Sequence, residues 1–344
     1  MNFLACDLGG TKVLLGIFKK GINDDTPKLI FKKKYISSEW ASFELLLEDF
    51  LKNECRNFNQ PSSACLAVAG PVSNNNAKII NLSWNISEKA LKNKFNFKSC
   101  ELINDFAVQI YGIPFLKKNQ YSKIQNGGTF QGANKDLHAI VGAGTGLGIA
   151  RGIISGCEVK ILASEGGHVE YSPKSKLEWE LKIWLKNSLN IERVSCERII
   201  SGKGLLKIAE WRLSKSDAQS HPLQKYFKGI KISDDLRKEL PEKICTLSNE
   251  GDQLMIEVER IWLGAYASFL GDVALQELCF GGLWISGGTA PKHFKNFKSD
   301  LFMKQFFDKG RLKDILKTIP LKVILDEEFG LYSAACRATM LLKT

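Results

Sequence analysis

The feature that most constrains the fold is a strand–turn–strand pattern with a glycine-rich turn, which occurs twice. The first apolar run begins at Phe3, leads into Asp7-Leu-Gly-Gly-Thr11, and is followed by a second apolar run. The other copy, Gly142-Ala-Gly-Thr-Gly146, also lies between two apolar runs. Apolar runs joined by a short turn that contains glycine predict a β-hairpin. Because glycine lets main-chain N–H groups approach a ligand closely, both turns are candidate phosphate-binding turns.

A strand rather than a helix follows each turn, which argues against the common nucleotide-binding motifs. The glycines of the second turn do not fit Gly-x-Gly-x-x-Gly, and there is no P-loop lysine. A third pair, Gly287-Gly288, follows the apolar run 280–285 and is a candidate contact for the nucleoside. Each turn alone is more often structural. The two turns that each join a pair of strands predict a duplicated fold that holds a nucleotide between its halves, and the third glycine pair at a strand end adds to this signal.

The segment from Cys100 to Asp105 predicts a short apolar strand that ends in Asn104-Asp105. In open α/β sheets, ligands bind just beyond the carboxyl ends of the strands, where an acidic side chain is in position for chemistry. The alternative is that Asp105 only caps a helix starting at Phe106, because aspartate is a favoured N-cap residue. The segment alone favours neither interpretation.

A second unusual segment is Glu165-Gly-Gly-His168, which holds one of only four histidines in the chain. Three interpretations compete: a metal site, a polar pocket of the kind that binds sugars, and an exposed loop. A metal site needs more ligands, and the sequence offers no second histidine nearby. Glu197, predicted near the start of a helix, offers a further carboxylate.

Composition restricts the class of protein. The 344 residues suggest about two domains. The net charge of +11 comes from scattered lysines, and the longest basic run, residues 32–34, is expected on a solvated strand edge. We therefore predict no nucleic-acid partner. The nine cysteines include no Cys-x-x-Cys pair, which argues against a zinc site and a disulfide framework and for a cytoplasmic protein. We expect no signal peptide and no membrane span.

The remaining pattern predicts alternating strands and helices. Residues 29–36 predict a third strand, and a helix is expected to start at Ser37. Apolar residues at helical spacing predict core helices over residues 205–213 and 256–278, and a terminal helix follows Gly330. The order of three strands, then helix and strand in turn, is not the plain alternation of a dinucleotide-binding domain.

Together these segments resemble the bacterial-type, non-zinc glucokinase family of the actin/hexokinase sugar-kinase superfamily. The resemblance covers nearly the whole chain. It is carried by six ordered motifs: Asp7-Leu-Gly-Gly-Thr11, Ile103-Asn-Asp105-Phe, Gly142-Ala-Gly-Thr-Gly-Leu-Gly148, Glu165-Gly-Gly-His168-Val, Val194-Ser-Cys-Glu-Arg198-Ile-Ile-Ser-Gly202 and Ile285-Ser-Gly-Gly288.

The resemblance implies a fold class of α/β type, with two actin-like or ribonuclease-H-like α/β domains and an active-site cleft between them. It implies a small domain of residues 1–115 plus 327–344 and a large domain of residues 116–326. The large domain would carry the sugar-binding loops and the surface of a homodimer. The implied reaction is phosphorylation of glucose at the 6-hydroxyl, with ATP and Mg²⁺.

The resemblance also implies residue roles. Asp105 would be the general base. The sugar would be bound by Asp105, Asn104, Glu165, His168 and Glu197, with Asn81 as a less certain addition. Phosphate and nucleoside contacts would come from Asp7, Leu8, Gly9, Gly10, Thr11, Lys12, Gly144, Thr145, Gly146, Gly287 and Gly288, and Asp7 would hold the metal.

One departure and two alternatives accompany this assignment. Lys12 stands where close relatives often carry asparagine, and lysine there is common in the repressor-and-kinase sugar family. That family usually has a cysteine-rich zinc motif after its Glu/His loop, whereas this chain continues Val169-Glu-Tyr-Ser-Pro173 without cysteine. One alternative is a kinase for another hexose or an amino sugar. The other is a sugar-sensing regulator, but such regulators carry an N-terminal helix-turn-helix that this sequence does not show.

Overall fold

A computed structural model describes residues 1–21, 24–79, 82–156, 158–227 and 234–342. Its first sheet has five strands in the order β3-β2-β1-β4-β8. β1 is antiparallel to β2 and parallel to β4, and β4 is parallel to β8. The bounds are β1 (Asn2–Leu8), β2 (Lys12–Lys19), β3 (Lys28–Ile36), β4 (Ser63–Val68) and β8 (Ser99–Asn104).

The second sheet repeats this order and adds one strand, β12-β11-β10-β13-β14-β9. β10 is parallel to β13, β13 is parallel to β14, and β11 is antiparallel to β12. The bounds are β9 (Tyr121–Gln125), β10 (Leu137–Ala143), β11 (Leu147–Ser155), β12 (Glu158–Leu162), β13 (Gly282–Ser286) and β14 (Leu321–Ile324). The shared order confirms the predicted duplicated α/β fold.

The central strands of the first sheet are apolar because both of their faces are covered. β4 is buried along its whole length, and all but one residue of β1 is buried. A strand covered on both faces reads as a continuous apolar run rather than as an alternation. The lysine run 32–34 lies on β3, at the edge of the first sheet, as predicted. There Lys32 pairs with Glu328 and Lys33 with Glu54, so this basic run is a solvated edge of the sheet.

Five of the described helices begin directly after a residue whose side chain caps the first turn. Serines cap α1, α4, α5 and α9, and Asp252 caps α7, each accepting a hydrogen bond from a main-chain N–H of the first turn. The bounds are α1 (Phe43–Asp49), α2 (Glu88–Lys94), α3 (Gln109–Gly112), α4 (Lys176–Leu189), α5 (Gly202–Leu213), α6 (Asp234–Asn249), α7 (Gln253–Glu277), α8 (Phe294–Phe297), α9 (Asp300–Phe306), α10 (Lys313–Thr318) and α11 (Phe329–Met340). No helix among the described residues is long and apolar enough to cross a membrane.

The chain packs as two compact units. The first unit comprises residues 1–121, 150–163 and 326–344, and the second comprises residues 122–149 and 164–325. In the first unit, α11 packs against β1, β4 and α3, which brings the end of the chain back to its beginning. The ion pair between Arg337 of α11 and Glu101 of β8 fastens this contact. The predicted domain limits at residues 115 and 326 stay a prediction.

Two local expectations differ from the structure. Ser37 begins only a short 3-10 turn, and α1 begins later, at Phe43, because the Ser42 hydroxyl accepts the Leu45 N–H. A small antiparallel sheet that the sequence reading did not predict precedes α2; its strands are β5 (Val72–Ser73), β6 (Asn76–Ile79) and β7 (Trp84–Ser87).

Candidate functional site

The first glycine turn joins β1 to β2 and is closed by its own main chain. The Gly9 N–H donates to the Lys12 carbonyl at 2.9 Å. Ser37, the residue after β3, stabilises the turn through two hydrogen bonds. Its hydroxyl donates to the Gly9 carbonyl, and its N–H donates to the Thr11 carbonyl. In the part of the chain that the structure describes, the N–H groups of Gly10 and Thr11 donate to no other residue. The turn therefore presents exposed donors, as an anion-binding turn requires.

Asp7 lies next to this turn, near the carboxyl end of β1. In the sheet it is paired with Leu14 on β2 and with Ala67 on β4. Its side chain is partly buried, and this burial raises the pKa of the Asp7 carboxyl above its ordinary value. A buried carboxylate is stabilised by a cation, so the position suits a cation ligand.

Asn104 is the last residue of β8 and Asp105 follows it, at the same edge of the sheet as the first turn. The Asp105 N–H donates to the Val68 carbonyl and extends the ladder between β4 and β8. The Asn104 side-chain oxygen accepts the N–H groups of Phe106 and Ala107, and its amide nitrogen donates to the Gly70 carbonyl at 3.3 Å. Asn104 therefore shapes this turn from within.

Asp105 has a smaller part in the same turn. One of its carboxylate oxygens, Oδ1, accepts the Phe106 N–H at 3.0 Å, and the side chain is partly exposed. The α-helix α3 begins only at Gln109 and has no side-chain cap. The alternative in which Asp105 caps a helix starting at Phe106 is therefore wrong, and most of the local capping belongs to Asn104.

The second glycine turn, residues 144–146, joins β10 to β11. The turn is closed by a main-chain hydrogen bond in which the Gly144 N–H donates to the Gly146 carbonyl at 2.8 Å. Glu197 lies against it, because its Oε2 accepts the Leu147 N–H at 3.1 Å. A Cβ atom on Gly146 would lie 2.5 Å from that oxygen, whereas a Cβ on Gly144 would meet nothing within 4 Å. One side of the turn is thus filled by Glu197 and the other is open.

The third glycine turn lies beside the second. β10 and β13 are parallel neighbours, with Gly142 opposite Ser286, so both turns leave the same edge of the sheet. The Thr289 hydroxyl donates to the Ala143 carbonyl at 2.7 Å and joins the two turns. Gly287 has φ +86°, a backbone conformation that favours glycine, while a Cβ on Gly288 would meet nothing within 4 Å. The sequence reading did not select Thr289, although it follows the glycine pair directly.

Glu165 and His168 occupy a short 3-10 turn in the second unit. Their side chains are 76% and 55% exposed, and His168 Nε2 lies 3.9 Å from Glu165 Oε2. Both side chains reach solvent, so the carboxylate and the imidazole are accessible to a ligand. Among the described residues, Glu165 and His168 do not belong to a group of three clustered metal-binding side chains.

Main-chain pairing brings the Glu165–His168 turn next to the Glu197 turn. Cys196 N–H donates to the Val169 carbonyl and Tyr171 N–H to the Val194 carbonyl, both at 2.8 Å. A Cβ on Gly167 would lie 2.1 Å from the Leu147 carbonyl oxygen, so this glycine permits close packing against the start of β11. The second glycine turn and both acidic turns of the second unit therefore form one connected group. The remaining candidate, Asn81, lies outside the described residues.

Comparison with known proteins identifies the family. The family model described as Glucokinase matches residues 4–341. The chain belongs to the glucokinase family. A glucokinase of Synechocystis sp. is 34% identical over 349 residues, which covers 97% of this chain and 97% of the relative.

Solved glucokinase structures share the fold. The glucokinase from an Antarctic psychrotroph has a TM-score of 0.78 and 25% identity, over 98% of this chain and 99% of the other. A glucokinase of Balamuthia mandrillaris in complex with glucose has a TM-score of 0.77 and 20% identity, over 98% and 93% of the two chains.

Proposed function

We propose that this chain transfers the γ-phosphoryl group of ATP to the 6-hydroxyl of glucose. The observation that carries the proposal is the glucokinase family match over residues 4–341. Phosphoryl transfer depends mainly on positioning and charge stabilisation, and the chain supplies N–H donors and carboxylates for both. The reaction gives glucose 6-phosphate and ADP.

Asp105 is the proposed general base. A carboxylate within hydrogen-bond reach of the 6-hydroxyl takes its proton as that oxygen attacks the phosphorus atom. General-base assistance of this kind contributes about 10²–10⁴-fold to the rate. Support comes from the position of Asp105 after β8, where the strand ends and the side chain is partly exposed.

The sugar is proposed to bind through Glu165, His168 and Glu197. Each ionised carboxylate accepts two hydroxyl protons, which suits a pair of neighbouring sugar hydroxyls, and an imidazole donates or accepts according to its tautomer. The exposure of Glu165 and His168 supports this role. Asn104 contributes mainly by holding the turn that carries Asp105, because its amide already makes three hydrogen bonds within the protein.

The nucleotide is proposed to bind at the glycine turns. The open space beside Gly144 and Gly288 supports close approach of a ligand to the main chain. The Gly10 and Thr11 N–H groups offer further donors. Mg²⁺ prefers oxygen ligands and usually keeps several waters, so the Asp7 carboxylate suits it directly or through water. This ion would neutralise charge on the ATP phosphates, and it would offset the burial that raises the pKa of Asp7.

The primary test is Asp105→Ala, measured with a coupled ADP assay and glucose-binding calorimetry. We expect turnover to fall by about 10²–10⁴-fold while glucose affinity is largely retained. Asp25→Ala, at an exposed aspartate of the same unit, is the matched control and should keep full activity. Substantial activity in the Asp105 variant would refute the base assignment.

Glu197→Gln tests the sugar contacts. Glutamine still offers an oxygen to the Leu147 N–H, so the turn should fold normally. It replaces one acceptor oxygen by an amide donor, so we expect a higher KM for glucose with a smaller change in kcat. If the KM for glucose is unchanged, Glu197 is not a sugar ligand and its role is to brace the phosphate turn.

A kinase for another hexose or an amino sugar is the second candidate. Glucose itself is supported by relatives that are glucokinases at 30–34% identity over nearly the whole chain. A panel of sugars in the same ADP assay separates the candidates. We expect the highest kcat/KM with glucose, and a higher value for another sugar would replace this assignment.

A homodimer and a cytoplasmic location complete the proposal. α4 exposes Trp179 (55%) and Ile183 (42%) one helical turn apart, an apolar pair that suits contact with a second copy. Light scattering after size exclusion should give twice the mass of one chain, and Trp179→Glu should shift it towards the monomer. A monomeric wild-type protein would contradict this assembly. The eight described cysteines are free thiols, which supports a reducing compartment.

A further inference from the structure

A cluster of three side chains in the second unit has no part in the proposed reaction. Cys245 lies on α6, Glu259 on α7, and His293 just before α8. Cys245 Sγ is 3.8 Å from His293 Nε2, and His293 Nδ1 is 3.2 Å from Glu259 Oε1. Among the described residues, this is the group of three metal-binding side chains whose ligand atoms lie within 4.8 Å of one another.

Glu259 fixes the imidazole rather than offering itself as a ligand. It is almost fully buried, and its two oxygens accept hydrogen bonds of 2.7 Å from Ser248 and Asn296 in addition to the contact with His293. A carboxylate oxygen held 3.2 Å from Nδ1 favours a proton on that nitrogen, which leaves the Nε2 lone pair directed at Cys245.

Packing fixes the same ring from its face. The imidazole of His293 lies 4.8 Å from the Trp262 ring, centroid to centroid, and contacts Phe297 on α8. Cys245 lies on the solvent side of this ring. Among the eight described cysteines it is the one that is partly exposed, and the other seven are buried. The thiol and the imidazole nitrogen are therefore held together at a place that small solutes reach.

The distance between these two atoms matches a shared ion. Zinc bonds of about 2.3 Å to sulfur and about 2.05 Å to nitrogen, at a tetrahedral angle, imply a sulfur–nitrogen separation of about 3.6 Å. The observed 3.8 Å needs a change of only a few tenths of an ångström. A thiolate and a neutral imidazole are the donors that Zn²⁺ and related borderline-soft ions select.

We propose that Cys245 Sγ and His293 Nε2 bind one such divalent ion, with Glu259 orienting the imidazole. The partial exposure of Cys245 leaves the remaining coordination positions to water or to Glu242. Glu242 lies one turn earlier on α6 and pairs with Lys292 at 3.4 Å, so its carboxylate belongs to the same part of the surface. Binding releases the thiol proton to solvent and requires no other reactant.

Occupancy of this site would act on the third glycine turn. The His293 N–H donates to the Thr289 carbonyl, and Thr289 is joined to the second turn through Ala143. An ion held by Cys245 and His293 would therefore fasten α6 to the segment that follows Gly288. This consequence for nucleotide affinity rests on the proposed function, whereas metal binding itself does not.

The test uses Co²⁺ titrated into the full-length, metal-free protein, followed by absorption. A cobalt–thiolate bond gives a charge-transfer band in the near ultraviolet, and Zn²⁺ added afterwards should remove it. We expect one Co²⁺ per chain. Cys245→Ser should abolish the band, and Cys55→Ala, at a buried cysteine of the first unit, should leave it unchanged. Glu259→Gln should weaken binding by about 10–100-fold, as expected for a group that orients a metal-binding histidine.

His293→Gln decides whether the site is shared by two side chains, and thermal unfolding of each variant confirms that it folds. Loss of Co²⁺ affinity in this variant supports the proposal. The proposal is overturned if the wild-type protein gives no band, if Cys245→Ser keeps it, or if His293→Gln binds as tightly as wild type. Because the readout is spectroscopic, a failed kinase assay would not affect it.

Discussion

Gly146→Ala and Gly144→Ala form a matched pair that tests how the second glycine turn is built. On Gly146 the new methyl group would lie 2.5 Å from Glu197 Oε2, so the carboxylate must move away. That movement breaks the 3.1 Å hydrogen bond from the Leu147 N–H to Glu197. A hydrogen bond to a charged group contributes about 1.5–3 kcal/mol, which is therefore the expected loss in the free energy of unfolding. In a domain of roughly 150–250 residues this lowers Tm by about 3–12 °C.

Gly144→Ala should leave the stability unchanged or slightly raised, while it weakens ATP binding. Its methyl group would meet no atom within 4 Å, so the folded state has room for it. Alanine also reduces the conformational freedom of the unfolded chain, which stabilises compatible sites by about 0.4–1 kcal/mol. The same methyl group would occupy the space proposed for the phosphates, so we expect a raised KM for ATP. Calorimetric unfolding and ADP assays of both variants provide the comparison. Equal destabilisation by the two substitutions would refute the reasoning.

Two further predictions concern the first unit. Burial raises the pKa of the Asp7 carboxyl, so ionising this group destabilises the fold. The free energy of unfolding therefore falls as the pH rises from the ordinary pKa of aspartate through the raised pKa of Asp7. Asp7→Asn should unfold at a higher temperature than wild type at pH 7 while losing Mg²⁺-dependent activity, and an unchanged Tm would contradict this account. Arg337→Gln should destabilise by about 1–3 kcal/mol, since it removes the pair with Glu101 and the contact of the guanidinium with the Tyr111 ring at 4.5 Å. Chemical denaturation measures this change in the free energy of unfolding. Lys28→Gln, which removes an exposed ion pair with Asp24, is the control and should leave the stability nearly unchanged.

The strands were predictable because the signal for a buried strand is local. β1 and β4 are covered on both faces, and their apolar runs are visible without knowledge of the fold. The small sheet β5–β7 was missed because its strands have only two to four residues. A usable signal was present. Asn74 and Asn75 form the two-residue turn between β5 and β6, and both have positive φ, as a type I′ hairpin turn requires.

Spatial relations between distant segments were not predictable in the same way. Glu197 supports the second glycine turn across 50 residues, and nothing in the spacing indicates that its carboxylate accepts the Leu147 N–H. Cys245, Glu259 and His293 are likewise separated in sequence, so a search for Cys-x-x-Cys spacing could not detect them. Local patterns identify turns and caps, whereas a site assembled from three segments depends on how the helices pack.

Asn104 and Asp105 both accept the Phe106 N–H, so substitutions are needed to separate the structural role of Asp105 from a catalytic one. Asparagine at 105 keeps an oxygen that accepts the Phe106 N–H, whereas alanine removes that hydrogen bond, which is worth about 0.5–1.5 kcal/mol. Asp105→Asn should therefore match the wild type in Tm, and Asp105→Ala should be slightly less stable. Neither variant has a carboxylate, so a role as general base predicts the same fall of about 10²–10⁴-fold in kcat for both. If Asp105→Asn were nearly as active as wild type while Asp105→Ala was not, the carboxylate would matter for the shape of the turn and not for proton transfer.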